Sequence, residues 1–275
     1  MKILKQLFFP LFALMITQSS TAACNTAKPD SKKIDVISSQ GYKYDTFATK
    51  EGRTVDLVFI KHGSLMVNVD DYLIYVDPVT MFGNDFSVLP KADMILVTHE
   101  HHDHYDKDAI TTLSDNHTLQ VLSQKVAELN GDGKGISPGQ SVNINNEHQT
   151  FTVTAVPAYN ISPGHENFHP KERNDVGFVF DIDDLKIYVA GDTEDIPEMS
   201  DLEDIDIVFL PINQPYTMTP QQAAHAIDML ISARKEKTSN KLIFYPYHYG
   251  DTDLTPLIDK YKESNDVEIR VRQMQ

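Results

Sequence analysis

From Val55 onward the chain alternates short apolar runs with turn residues. Val55 to Lys61, Ser64 to Val69 and Tyr72 to Val76 read as sequential strands, with Gly63 and Asp70-Asp71 as turns. Ala92 to Thr98 is mostly apolar, as expected of a strand buried on both faces. Lys107 to Leu113 and Ser123 to Leu129 read as helices. Val142 to Ile144 and Phe151 to Pro157 read as strands, and Val176 to Ile182 with Leu185 to Ala190 as a hairpin around Asp183-Asp184. Ile205 to Leu210 is another buried strand. Thr219 to Arg234 gives the clearest helix: Thr219 caps it, Pro220 takes the first turn, and Ala223, Ile227, Leu230 and Ile231 line one face. A strand at Leu242 to Tyr245, a short helix near Asp253 to Tyr261 and a strand near Val267 to Val271 close the chain. Neither a composition break nor a repeat interrupts Val55 to Val271, so the pattern predicts one α/β domain with two sheets and outer helices.

The amino-terminal stretch is different. Lys2 and Lys5 precede an apolar run, Leu7 to Ile16, and the small polar stretch Ser19 to Ala23 follows. The run is about ten residues, half of the roughly 20 needed to span a bilayer. Residues 1–23 therefore read as a secretory signal peptide. Cys24 after Ala22-Ala23 resembles a bacterial lipoprotein site, although Thr21 stands where such sites prefer leucine. Two outcomes stay open: a lipid anchor on Cys24, the one expected membrane contact, or ordinary cleavage and a soluble periplasmic form. Residues 24–50 are expected to form a polar tether, and 51–275 the functional domain.

Composition narrows the chemistry. The 275 residues carry a formal charge of -16, and loss of the two signal lysines takes this to -18. Such a surface repels phosphate backbones and argues against a nucleic-acid partner. A single cysteine excludes an intrachain disulfide and a cysteine-based structural zinc site. Eleven histidines direct attention to imidazole and carboxylate chemistry.

The densest cluster is Thr98-His99-Glu100-His101-His102-Asp103-His104, directly after an apolar strand. Four imidazoles and two carboxylates in six residues are poorly explained as a chance polar loop. Such ligands suit zinc, manganese or iron. The segment resembles the His-x-His-x-Asp-His signature of the metallo-β-lactamase superfamily. Other motifs follow in the order of that superfamily: His62-Gly63-Ser64, Val76-Asp77-Pro78, Phe168-His169-Pro170-Lys171, Ala190-Gly191-Asp192-Thr193 and Tyr245-Pro246-Tyr247-His248. The nearest branch resembles ascorbate-6-phosphate lactonase-like and N-acyl phosphatidylethanolamine phospholipase D-like hydrolases.

The resemblance implies an αββα sandwich, two central mixed sheets flanked by helices, with two divalent transition-metal ions, zinc foremost and manganese or iron as alternatives. It implies His99, His101 and His169 on the first ion, Asp103, His104 and His248 on the second, and Asp192 between them. Asp103, Asp192 and His248 are the implied catalytic set. His169 is favoured over nearby His165 because Phe-His-Pro-Lys is the matching piece. Asp77 is expected to brace the histidine loop, His62 to stand no nearer than behind the ligands, and His102 to face away. Lys171, Arg173 and Asn174 follow His169, where a lysine suits a substrate phosphate or carboxylate; a solvated charged loop is the plain alternative. Tyr216 and Tyr247 offer hydroxyls or mere packing.

The implied function is hydrolysis of an ester, lactone or phosphodiester in a small-molecule substrate, anionic or neutral, by a hydroxide shared between the two ions. The alternative is a periplasmic metal-binding or sensory protein on the same scaffold, since fold alone does not fix function. A true β-lactamase is disfavoured by the branch and by the lack of a cysteine ligand.

Overall fold

Strands that are apolar on both faces need a covering on each side. The computed structural model, which describes residues 32–146, 148–235 and 240–274, meets that need with four layers. The signal peptide and Cys24 lie outside the described residues. The first sheet takes its strands in chain order: β1 (Lys43–Ala48), β2 (Thr54–Lys61), β3 (Ser64–Val69), β4 (Tyr72–Val76), β5 (Met94–Val97), β6 (Leu119–Ser123) and β7 (Lys134–Ile136). The second runs from β8 (Ser141–Asn145) through β9 (Thr150–Pro157), β10 (Val176–Ile182), β11 (Leu185–Val189), β12 (Ile207–Pro211) and β13 (Leu242–Tyr247) to β14 (Val267–Ile269). Each sheet is antiparallel in its early strands and parallel in its later ones.

Alternation decides which side chain meets which layer. Ile74, Val76, Met94 and Leu96 point inward against Phe178, Phe180, Ile207 and Phe209 of the other sheet. Their neighbours Leu73, Tyr75, Ile95 and Val97 point outward. There they meet α1 (Lys32–Ser39), α2 (Lys107–Leu113) and α3 (Gln124–Asn130) through residues such as Ile37, Ile110 and Val126. Val208 and Leu210 meet α4 (Pro220–Ser232) and α5 (Thr255–Tyr261) in the same way. The predicted αββα sandwich is the observed fold. Thr219 caps α4 in a reciprocal capping box with Gln222. Asp183 and Asp184, at φ of 50° and 65°, make the hairpin turn between β10 and β11.

The tether expected over residues 24–50 needs correction. Lys32–Ser39 is helical and Lys43–Ala48 pairs with β2. Among the described side chains of α1 only Ile34 and Ile37 are buried, so its apolar stripe is too short to show a period. β1 is an exposed edge strand of mixed polarity, and its order comes from β2 beside it.

Both sheets send their metal-side loops to one end, and the opposite end is latched. Arg53 donates from Nε and Nη2 to the Asp183 carboxylate, both at 2.6 Å, and Thr49 Oγ1 donates to Asp183 at 2.8 Å. The Arg53 side chain keeps 15% of its exposure and Asp183 9%. The arginine beside it holds the Asp183 carboxyl below its ordinary value. A depressed carboxyl stabilises the fold above its unfolded pKa and loses that contribution as pH falls through the folded one. Asp183→Asn is therefore expected to cost about 2 kcal/mol at pH 7. The difference from the parent should shrink below about pH 4, read as urea midpoints across a pH series. A constant difference down to pH 2 would contradict the latch.

Candidate metal centre

The loops that follow β2, β4, β5, β9, β11 and β13 converge at one end of the sandwich. In parallel strands this end carries the carboxyl termini, the usual place for a site. Asp77 leaves β4 and is fully buried with φ of 46°. Its Oδ1 accepts the Thr98 N–H at 2.8 Å, and Oδ2 accepts the Thr98 hydroxyl at 2.7 Å and His104 Nδ1 at 2.8 Å. The loop after β5 is thereby tied to the end of β4, as the sequence suggested.

These bonds orient the rings. The Thr98 hydroxyl gives its one proton to Asp77, so it accepts from His99 Nδ1 at 2.9 Å. His99 Nε2 and His104 Nε2 are left toward the interior of the site. Asp192, after β11, places Oδ1 3.3 Å from His104 Nε2. Its Oδ2 lies 3.4 Å from His248 Nε2, 3.5 Å from His169 Nε2 and 3.9 Å from His99 Nε2. Asp103 Oδ2 lies 3.3 Å from His248 Nε2 and 4.0 Å from His104 Nε2. All seven residues singled out from the sequence are brought together. Gly191 permits this at φ of 67°, since a Cβ there would stand 2.8 Å from the Val176 carbonyl oxygen.

Among the described residues three groups of donors emerge, each with atoms mutually within 4.8 Å: His99, His101 and His169; His62, Asp103, His104 and His248; and His99, His104 and Asp192. His169 joins the site, whereas His165 turns to Glu194, 3.4 Å away. His102 is exposed. Tyr247 is fully buried beneath the site, and Tyr216 is exposed and packs its ring on Phe168.

Two participants were undervalued in the sequence. His62 reaches the second group directly. Arg173 donates from Nη1 to His101 Nε2 at 3.1 Å, and its Nη2 lies 3.0 Å from His169 Nδ1. It is itself held by Asp175 at 2.8 Å and Glu100 at 3.3 Å. Arg173 therefore braces two candidate ligands and leaves His101 Nδ1 and His169 Nε2 for a metal. Lys171 points elsewhere, to Glu198 at 2.8 Å and the Tyr159 hydroxyl at 2.9 Å.

The electrostatics suit a cation. Burial and the neighbouring His104 hold His99 well below the ordinary imidazole range, in the neutral form that ligates. Burial would raise Asp103 and Asp192, but the histidines facing them outweigh it and hold both carboxyls low. For His104, burial is outweighed by Asp192 and Asp77, which raise it. His99 Nε2, His104 Nε2 and Asp192 Oδ1 are buried and make no well-aligned hydrogen bond among the described residues, although the last two stand 3.3 Å apart. A buried polar atom left unsatisfied costs about 1–3 kcal/mol, and the charge pairing of His104 with Asp192 eases that cost for two of the three. A divalent ion ligated by all three would remove that cost, so the donor set fits a metal.

Known proteins agree. The family described as "Beta-lactamase superfamily domain" matches residues 56–234, more than half of the chain. The chain belongs to the metallo-β-lactamase superfamily. A UPF0173 metal-dependent hydrolase of Natranaerobius thermophilus is 30% identical over 212 residues, 74% of this chain and 87% of that protein. A crystal structure from Parabacteroides distasonis, titled as a metal-dependent hydrolase, is 44% identical with a TM-score of 0.76 and covers 85% of this chain and 100% of its own. A metallo hydrolase of Ignicoccus hospitalis, 22% identical with a TM-score of 0.63, shares the fold over 80% of this chain and 95% of its own. The chain is accordingly a metal-dependent hydrolase of the superfamily.

Asp77 gives the sharpest test of how the fold supports the site. Removing a group that orients a metal-binding histidine typically costs 10–100-fold in affinity. Asp77→Ala is expected to weaken zinc binding by about that factor in a competition titration against a chromophoric chelator. An unchanged affinity would show that the His99–His104 loop holds its geometry without it.

Proposed function

We propose that this superfamily member is a binuclear hydrolase acting on an ester, lactone or phosphodiester. The observation that carries the reading is the position of Asp192. Its two oxygens lie between the His99/His101/His169 group and the group around His104 and His248, within 3.3–3.9 Å of a nitrogen of His99, His104, His169 and His248. His99, His101 and His169 would hold one ion, Asp103, His104 and His248 the other, and Asp192 both. Zinc is the first expectation, with manganese or iron accepted by the same donors. Two such ions would lower the pKa of a shared water and polarise the scissile carbonyl or phosphoryl group.

The chain's own part is to hold and shield. Arg173 and Asp77 fix the imidazoles from behind. Asp192 is buried, which keeps bulk water from competing for its oxygens. Lys171 and Arg173 are both engaged by carboxylates, so neither is the obvious clamp for an anionic substrate.

The purified protein is expected to hold two transition-metal equivalents per chain by elemental analysis and to lose hydrolysis on chelation. Asp192→Asn should lower kcat by at least about a hundredfold, the scale of losing a group that stabilises transition-state charge. Full turnover after complete metal removal would end the proposal.

We also propose that the enzyme is exported to the bacterial envelope, as the charged, apolar and small-residue succession of residues 1–23 supports. Among the described residues no helix is long and apolar enough to cross a membrane. Mass spectrometry of the protein from cells should find a chain beginning near Cys24. A diacylglycerol adduct there would fix the anchored form, and an intact Met1 would refute export.

A further inference from the structure

The turn between β2 and β3 is built around His62. The pairing of β2 with β3 shifts register between Phe59 and Lys61, which re-aims the strand end. His62 then takes φ of 55°, a left-handed conformation that a side-chain-bearing residue adopts at a cost. Gly63 passes so close to His104 that a Cβ there would stand 2.7 Å from His104 Cε1. From the far end of the chain, the Met274 carbonyl accepts the His62 N–H, and the Met274 side chain is buried between the sheets. Separate stretches of sequence thus combine to fix one imidazole.

That imidazole faces the candidate ligands of the second ion. His62 Nε2 is 3.2 Å from Asp103 Oδ2. Its ring centroid is 3.7 Å from that of His248 and 6.2 Å from that of His104. One donor atom each from His62, Asp103, His104 and His248 falls within a single 4.8 Å set. Donors bound at about 2.0–2.2 Å to one ion stand roughly 3–4 Å from one another. The His62–Asp103 distance of 3.2 Å and the His248–Asp103 distance of 3.3 Å already match that spacing.

We propose that His62 is itself a ligand of the second metal ion, beside Asp103, His104, His248 and the shared Asp192. The proposal rests on the binuclear reading above. It makes the two ions unequal: the second gains one more protein donor than the first, which has His99, His101, His169 and Asp192. Higher coordination moves a site away from the four-coordinate preference of zinc and toward manganese or iron. The competing role is positional, with the His62 N–H merely orienting the Asp103 carboxylate.

Cobalt(II) distinguishes the two roles, because its visible absorption strengthens as coordination number falls. Metal-free full-length protein, His62→Ala and His62→Gln are titrated with cobalt while absorption and bound equivalents are read. Glutamine keeps an N–H toward Asp103 but is a poor ligand for this ion. If His62 ligates, both variants bind the first equivalent as the parent does. The second is then weakened by about tenfold or more, and its absorption intensifies. Retention of the parental second-equivalent spectrum in both variants, with affinity restored by glutamine, would overturn the proposal. Binding of only one equivalent by the parent would instead sink the binuclear reading. Melting curves of the metal-free forms check folding, and the near-isosteric glutamine variant keeps the test available if alanine fails to fold.

Discussion

The site depends on one buried carboxylate. Asp77 lies at the end of β4 with no exposure and meets three donors, two from Thr98 and one from His104. A carboxylate in an apolar interior is costly unless its oxygens are satisfied. Satisfying Asp77 dictates where Thr98 sits, and the Thr98 hydroxyl oxygen in turn accepts a hydrogen bond from His99 Nδ1. The bonds that stabilise the buried acid therefore also select which nitrogen of His99 and His104 faces the interior. Structure and chemistry are linked at the level of a tautomer.

The sandwich supplies the other half. Histidines of the 99–104 loop belong to the first sheet, whereas His169, Asp192 and His248 are carried by loops of the second. Neither sheet holds a complete set. What brings them together is the apolar interface of Val76, Leu96, Val189, Phe209 and their neighbours. Val176 N–H donates to the Thr98 carbonyl at 3.2 Å, so the two sheets touch through backbone beside the site as well. Close packing transmits small displacements. A cavity made in that interface would shift one set of ligands against the other, although no ligand had been altered.

How far the sequence revealed this follows from what each signal is made of. β2 to β4, the β10–β11 hairpin and α4 were legible because burial on both faces, paired aspartates and a capped apolar stripe are local patterns. The 99–104 cluster was legible for the same reason: its ligands are crowded into one loop. α1 and β1 were hidden because Ile34 and Ile37 make too short a stripe and the edge strand mixes polar and apolar residues on exposed positions. β7 spans only Lys134–Ile136, with a glycine at its centre and a single fully buried side chain.

The residues undervalued at the site had a different obstacle. Arg173 looked like a charge in a solvated loop, since nothing near it in sequence shows that Nη1 meets His101, 72 positions away. Lys171, two residues earlier, looked more suited to a substrate but turns to Glu198. The sequence supplies two cations and only the fold decides which one faces inward: Asp175 and Glu100 hold the arginine there. His62 is the sharper case. Its position depends on a register shift, a left-handed backbone and a carbonyl from Met274, and no local pattern joins those three. A motif can report ligands that share a loop. Donors supplied by distant turns become visible only when packing brings them to the same few ångströms.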